Sequence, residues 1–171
     1  GDNFNVVLER TVRELKGQSC ITLHDFMEPK KQIMVSRSFG KSIRSKSVLS
    51  EAISFHASRA AEKLRYEKQK CRLITAFIRS NRFNTRVRQI YAAKSFELVH
   101  PTDDTRIIIK NANRILDQIF ADGYQYAKAG VLLSDFTDKY GYQMSLFDKK
   151  RDEKMASRLM QTVDYINLME I

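Results

Sequence analysis

Several features that would place a chain in a common functional class are scarce or missing here. There are two cysteines, Cys20 and Cys71, far apart and with neither a CxxC pair nor a histidine at ligand spacing, so neither a disulfide framework nor a zinc site is indicated. Free thiols in a reducing compartment fit this usage. No apolar run approaches the roughly 18 residues that a membrane span needs; the longest are short stretches such as Val131, Leu132 and Leu133. The N-terminus has no signal-peptide pattern, and a cytoplasmic location with no membrane partner is expected. His24, His56 and His100 have no mutual spacing that would bring two imidazoles to one metal. His56 falls on an apolar helical face, where a satisfied core histidine is expected. Ser38 and Ser134 have no partnered histidine, and no glycine-rich phosphate loop occurs. Asp103 and Asp104 read as capping residues in the first turn of a helix, where carboxylates favour the positive end of the dipole. No repeat or low-complexity segment is present. No catalytic residue, metal site or cofactor is expected in this chain.

What is present is positive charge, and it is segregated. The chain has 171 residues and a net charge of +10. Residues 1–29 carry net −2 and residues 95–171 also net −2, whereas Lys30 to Lys94 holds seventeen basic and three acidic residues, net +14. That excess within one stretch exceeds what solubility requires and points to nucleic acid or another polyanion.

Hydrophobic content of 43% supports one core of ordinary domain size with appendages. Phe4, Val7, Leu8, Val12 and Leu15 share one helical face, with Gly17 as a C-terminal cap. Such a helix is too short to be stable alone, and the chain reads as a fragment of a longer protein. Residues 18–31 lack a period and read as a linker. Gln32 to Phe39 has strand length, closed by Gly40, and Ser47 is a plausible N-cap for a helix with Leu49, Ala52, Ile53, His56, Ala60 and Leu64 on its apolar face. Cys71 to Arg79 is a strand, Ser80 to Gln89 an arginine-rich loop and Tyr91 to Leu98 a third strand. Pro101 and Thr102 introduce a second helix with Ile108, Ala112, Ile115, Leu116 and Ile119 on one face, ended by Gly123. Tyr124 to Phe136 is a fourth strand with Gly130 a candidate bulge. The order β-α-β-β-α-β predicts an α+β fold of the split βαβ type: a four-stranded antiparallel sheet, two helices on one face, the other face open. A charged tail with Met155, Leu159, Val163 and Ile166 at helical spacing follows.

The basic stretch is interleaved with groups that suit a phosphate backbone. Arg37, Ser38 and Gly40 end the first strand, Lys41 and Arg44 follow, Arg79 ends the second strand, and Arg82, Arg86 and Arg88 fill the next loop. Guanidinium groups and exposed backbone N–H near Gly40 can neutralise phosphates without reading sequence. Alternation does not separate the faces of the second strand, because both sets in CRLITAFIR are largely apolar.

The segments FNVVLERTVREL (residues 4–15), SRSFG (36–40), RAAEKLR (59–65), ILDQI (115–119), KAGVLLSDF (128–136) and QMSLFD (143–148) together resemble the UmuC family of bacterial DNA polymerase V, Y-family translesion polymerases. The resemblance runs in order over nearly the whole chain. It implies that residues 1–17 end a thumb helix, that 32–136 form a little finger domain holding primer-template DNA, and that 137–171 form a tail beyond the polymerase fold. It implies a nucleoid-associated DNA-damage function in SOS mutagenesis and a parent polymerase using magnesium, whose palm carboxylates are missing here. Partnership with the processed UmuD dimer and with RecA is implied too, with no residues located for either. Gln143, Met144, Ser145, Leu146 and Phe147 match the family's pattern for docking on the sliding clamp, the β subunit. Among alternatives, an RNA-binding module of the RRM type shares the element order, but its Gly-aromatic run is absent from CRLITAFIR and YAAKSFEL. A small ferredoxin-like enzyme lacks a convergent polar site, and a protein scaffold leaves the +14 stretch unexplained.

Overall fold

The computed structural model describes residues 6–17, 30–138 and 153–169, and the chain divides into two units, Gly1–Lys30 and Lys31–Ile171. The first contains α1 (Val6–Leu15), on which Arg13 and Glu9 pair one turn apart at 2.6 Å. Gly17, at φ +79°, takes the left-handed conformation that lets its N–H reach back to the Glu14 carbonyl at 2.9 Å. Most of the expected linker lies outside the described residues.

The second unit runs β1 (Gln32–Ile43), α2 (Lys46–Tyr66), β2 (Gln69–Arg79), β3 (Tyr91–Thr102), α3 (Thr105–Ile119), β4 (Tyr126–Asp138) and α4 (Glu153–Met169). The sheet order is β1-β4-β2-β3, with every neighbouring pair antiparallel. β1 and β2 are therefore parallel with β4 between them, and β3 and β4 are parallel with β2 between them. Two split βαβ units interlock, as the element order predicts.

Both helices cover one face because their apolar residues recur at helical spacing. α2 buries Leu49, Ile53, Ala57, Ala60, Ala61 and Leu64 over β1 and β4, and α3 buries Ile108, Ala112, Ile115 and Leu116 over β2 and β3. Each fully buried Leu or Ile contributes about 1.5–3 kcal/mol. Between the helices Asn113 accepts from Ser50 Oγ at 2.7 Å and donates to Ser54 Oγ at 2.8 Å. The Tyr126 hydroxyl, fully buried, donates to the Ala121 carbonyl at 2.9 Å and accepts from the Ala121 N–H at 3.0 Å, fastening the α3–β4 turn. Arg65 ties α2 to two further helices. It grips the Asp164 carboxylate of α4 at 2.5 and 2.6 Å and donates to the Asp103 carbonyl and Thr105 Oγ1, both at 2.8 Å.

Several local expectations are corrected. β1 continues through Gly40 to Ile43, its pairing with β4 shifting between Ser38 and Ile43; Gly40 has open space around it and does not close the strand. α2 starts at Lys46 with Ser45 in the extended N-cap conformation, so Ser47 lies within the first turn, its Oγ 2.7 Å from Ser45 Oγ. Pro101 and Thr102 belong to β3 rather than to the approach to α3, which an edge strand permits because one side needs no N–H donor. Asp104 does the capping expected of it, but from the N-cap position rather than from within the first turn, accepting from the Arg106 N–H at 2.9 Å. Burial works to raise the Asp104 carboxyl pKa, but hydrogen bonds and charge from Arg106 outweigh it and leave the group below its ordinary value.

Gly130 is not a bulge either: it pairs in register with Ser36 and Phe77. A Cβ placed there would lie 2.5 Å from Phe77 Cζ and from Ser36 Cβ. The glycine is required by the Phe77 ring lying across it. Gly130→Ala is expected to lower stability by about 1–3 kcal/mol through overpacking, read as a fall in the thermal midpoint. An unchanged midpoint would contradict this packing.

His56 is buried, 4% exposed, but among the described residues neither ring nitrogen has a hydrogen-bond partner, so none of them supplies the satisfaction expected of a core histidine. Burial first, and the Arg37 charge second, hold its pKa below the ordinary value. The folded state therefore prefers the neutral ring. Stability is full above the unfolded pKa of about 6.5 and falls as pH drops below it towards the lower folded value. Comparing thermal midpoints at neutral and mildly acid pH should show a smaller acid loss in His56→Leu than in the wild type. Equal losses would mean that His56 does not titrate with unfolding.

Candidate nucleic-acid interface

Register assigns each strand residue to a face. Across the sheet, Ile33, Leu133, Ile74 and Phe96 form one row, and Val35, Val131, Ala76 and Lys94 the next; these face the helices, as the complete burial of Leu133, Ile74, Val131 and Ala76 shows. The alternate rows form the open face. They are Gln32–Ser134–Leu73–Glu97, Met34–Leu132–Thr75–Ser95, Ser36–Gly130–Phe77–Ala93 and Ser38–Lys128–Arg79–Tyr91.

The two ends of this face differ electrostatically. At one end Arg72 is paired with Glu97 and, at 3.3 Å, with Asp135, so its charge is compensated. At the other, Arg79 and Lys128 stand side by side in register, and the chain continues from Arg79 into the Ser80–Ile90 loop with Arg82, Arg86 and Arg88. Among the described residues none of these five cations has a carboxylate partner. Uncompensated cations on one end of an exposed sheet make a field suited to a polyanion. Arg88 lies over the Tyr124 ring at 4.7 Å and Arg82 over Phe83 at 5.0 Å, contacts that leave the charge in place.

The structure distributes the residues picked from the sequence unevenly. Ser38 and Arg79 share the last open-face row. Gly40, Lys41 and Arg44 are exposed at the end of β1 and just beyond it, in and after the stretch where pairing with β4 lapses. Arg82, Arg86 and Arg88 are exposed on the β2–β3 loop. Arg37 is different: it pairs with Ala129 on the helix-bearing side and reaches the field of His56, so it does not belong to the open face. Lys128 was missed, because it lies outside the basic stretch and joins Arg79 only through β2–β4 pairing. The Phe77 and Tyr91 rings, centroids 6.5 Å apart, were missed too, since strand alternation alone could not choose their face. Gln143, Met144, Ser145, Leu146 and Phe147 lie outside the described residues. Cys71 is buried, and burial pushes its thiol up to about 12, so it stays protonated and unreactive. No described helix is long and apolar enough to cross a membrane.

A four-stranded antiparallel sheet with helices on one face and the other face open is the little finger fold of Y-family DNA polymerases: a solved Y-family DNA polymerase chimera matches with a TM-score of 0.52 at 12% identity, covering 78% of this chain and 36% of that one. The family is fixed by sequence. Residues 30–146 match the impB/mucB/samB family C-terminal domain, and the chain belongs to that family. It is 48% identical to the protein SamB of Salmonella typhimurium over 165 residues, 41% to the protein UmuC of Salmonella typhimurium strain LT2 over 165, and 43% to the protein MucB of Escherichia coli over 164. Each alignment covers 96% of this chain and 39% of the relative, so the chain spans about two-fifths of their length.

Proposed function

We propose that this chain is the non-catalytic, DNA-holding region of an error-prone translesion polymerase, acting in SOS mutagenesis and damage tolerance. The observation that carries this reading is the open-face row Ser38–Lys128–Arg79–Tyr91 continuing into an arginine loop with no carboxylate partners among the described residues. Phosphates of primer-template DNA lie along that end of the sheet, contacted by Ser38, Gly40, Lys41, Arg44, Arg79, Arg82, Arg86, Arg88 and Lys128. Such contacts position a duplex without reading its sequence, which suits a polymerase that must accept any template. Among the described residues no three His, Cys, Asp or Glu side chains converge as a metal site would require. The magnesium expected of the parent polymerase is assigned to the palm carboxylates that the family resemblance implies, and no step of nucleotidyl transfer is proposed for this chain. Gln143–Phe147 serves as a tether to the sliding clamp, and the family resemblance supports the processed UmuD dimer and RecA as further partners.

An RRM-like RNA reader is less well supported. Along the two central strands, β4 and β2, the open face carries one aromatic, Phe77, and that ring is only 9% exposed, so it offers little area for base stacking.

The test is salt dependence. Each neutralised phosphate contributes about 0.9 to the log–log slope for duplex DNA, so Arg79→Ala with Lys128→Ala is expected to flatten it by about 1.8. Fluorescence anisotropy across a salt series measures this directly. A slope unchanged by the double substitution, or a sharp preference for one sequence, would overturn the reading.

A further inference from the structure

The β2–β3 loop holds an exposed aromatic that backbone contacts alone do not explain. Phe83 is 81% exposed, yet the loop that carries it is heavily cross-linked. Gln89 Nε2 donates to the carbonyls of Asn81, Asn84 and Val87 at 3.1, 2.8 and 3.1 Å. Its Oε1 accepts from Ser80 Oγ at 3.0 Å, and the Ile90 N–H donates to that same hydroxyl at 2.9 Å. Asn81 Oδ1 accepts from the Phe83 N–H at 3.0 Å, and Asn84 Oδ1 from the Arg86 N–H at 3.1 Å. A single glutamine amide thus does for the loop interior what a core does for a domain. An apolar ring kept in water by a loop whose conformation is fixed in advance needs little further ordering to bind.

Its surroundings select the ligand. The Arg82 guanidinium sits over one side of the ring at 5.0 Å, and Arg86 and Arg88 complete a loop with three cations and no acidic residue between Ser80 and Ile90. An aromatic flanked by cations stacks on nucleobases while its neighbours hold the adjoining phosphates. Intact duplex offers such a ring no base face without unstacking; an unpaired base does.

We propose that Phe83 is a base-stacking residue that takes an unpaired nucleobase, so that the loop distinguishes DNA with a single-stranded overhang from continuous duplex. The inference rests on the DNA-holding reading and adds to its phosphate contacts a neutral contact that recognises unpaired bases. Because stacking is uncharged, it separates from the phosphate contacts by salt dependence.

The experiment compares the whole chain with Phe83→Ala on two probes carrying equal numbers of phosphates, a primer-template with an overhang and a blunt duplex. Phe83→Ala is expected to bind the overhang about tenfold more weakly, with the salt slope unchanged and the blunt duplex little affected. Arg82→Ala should flatten the slope instead. The sequence contains no tryptophan, so Phe83→Trp creates a single reporter at the site. It should retain overhang binding, and its emission should be quenched by the overhang and not by the blunt duplex. Equal loss on both probes, no loss on either, or unquenched emission from a variant that binds would overturn the stacking assignment and leave the phosphate-holding reading intact. Failure of the wild-type chain to bind either probe would overturn both.

Discussion

Arg65→Ala will lower the stability of the little finger unit by about 3 kcal/mol and release α4 from its body. The Arg65 side chain is 10% exposed and that of Asp164 25%, so the pair is largely withdrawn from water, and the guanidinium makes four hydrogen bonds spread over the Asp164 carboxylate, the Asp103 carbonyl and Thr105 Oγ1. Breaking a buried pair costs about 3–5 kcal/mol because the abandoned charge stays behind; the partial exposure of Asp164 places the expected value at the lower end. The damage is wider than one ion pair. The same side chain joins the end of α2, the approach to α3 and α4, whose Met160 is 4% exposed. Asp164→Asn keeps the size of the side chain and removes its charge, and should cost less while loosening α4 in the same way. Thermal melts give the stability change, and hydrogen exchange over 153–169 reports α4. A wild-type melting midpoint together with unchanged protection of that helix in Arg65→Ala would show that α4 is held by something else.

The other large effect concerns the clamp. Leu146→Ala with Phe147→Ala is expected to weaken sliding-clamp binding by about thirtyfold or more, since truncating an apolar anchor in a pocket commonly costs about 2 kcal/mol. Adjacent Leu and Phe in an extended peptide can enter one pocket, while the Gln143 amide can donate and accept at its rim. For a polymerase the consequence is effective concentration: a tethered enzyme stays near the primer end without extra DNA contacts. Binding isotherms of the chain and the double variant on immobilised clamp decide the matter, with circular dichroism checking the fold. Undiminished binding by a folded double variant would remove the motif from the proposal.

The two effects also separate the parts of the molecule. Losing the Arg65 node should leave clamp affinity unaltered if residues 143–147 bind as a linear peptide. Losing Leu146 and Phe147 should leave the melting midpoint unaltered.

Amino-acid order by itself determined the element sequence, the two amphipathic helices and the location of the excess charge. Each is a local property: Leu49, Ile53, Ala60 and Leu64 recur at helical spacing whatever they pack on, and the seventeen basic residues of Lys30 to Lys94 can be counted without a fold. Strand ends were less legible. β1 runs past Gly40 and β3 absorbs Pro101 because both are edge strands, where a glycine or a missing N–H carries little penalty. Only tertiary pairing decided which residues share a surface. β2 carries apolar residues on both sides, Ile74, Ala76 and Ile78 under the helices and Leu73 and Phe77 on the open face, where the Phe77 ring lies across Gly130, so its largely apolar pattern names no open face. The β2–β4 register sets Lys128 beside Arg79, and the β1–β4 register turns Arg37 to the helices and Ser38 away from them. A one-residue change of register would exchange those faces, and register is set by the packing of the whole sheet rather than by any segment within it.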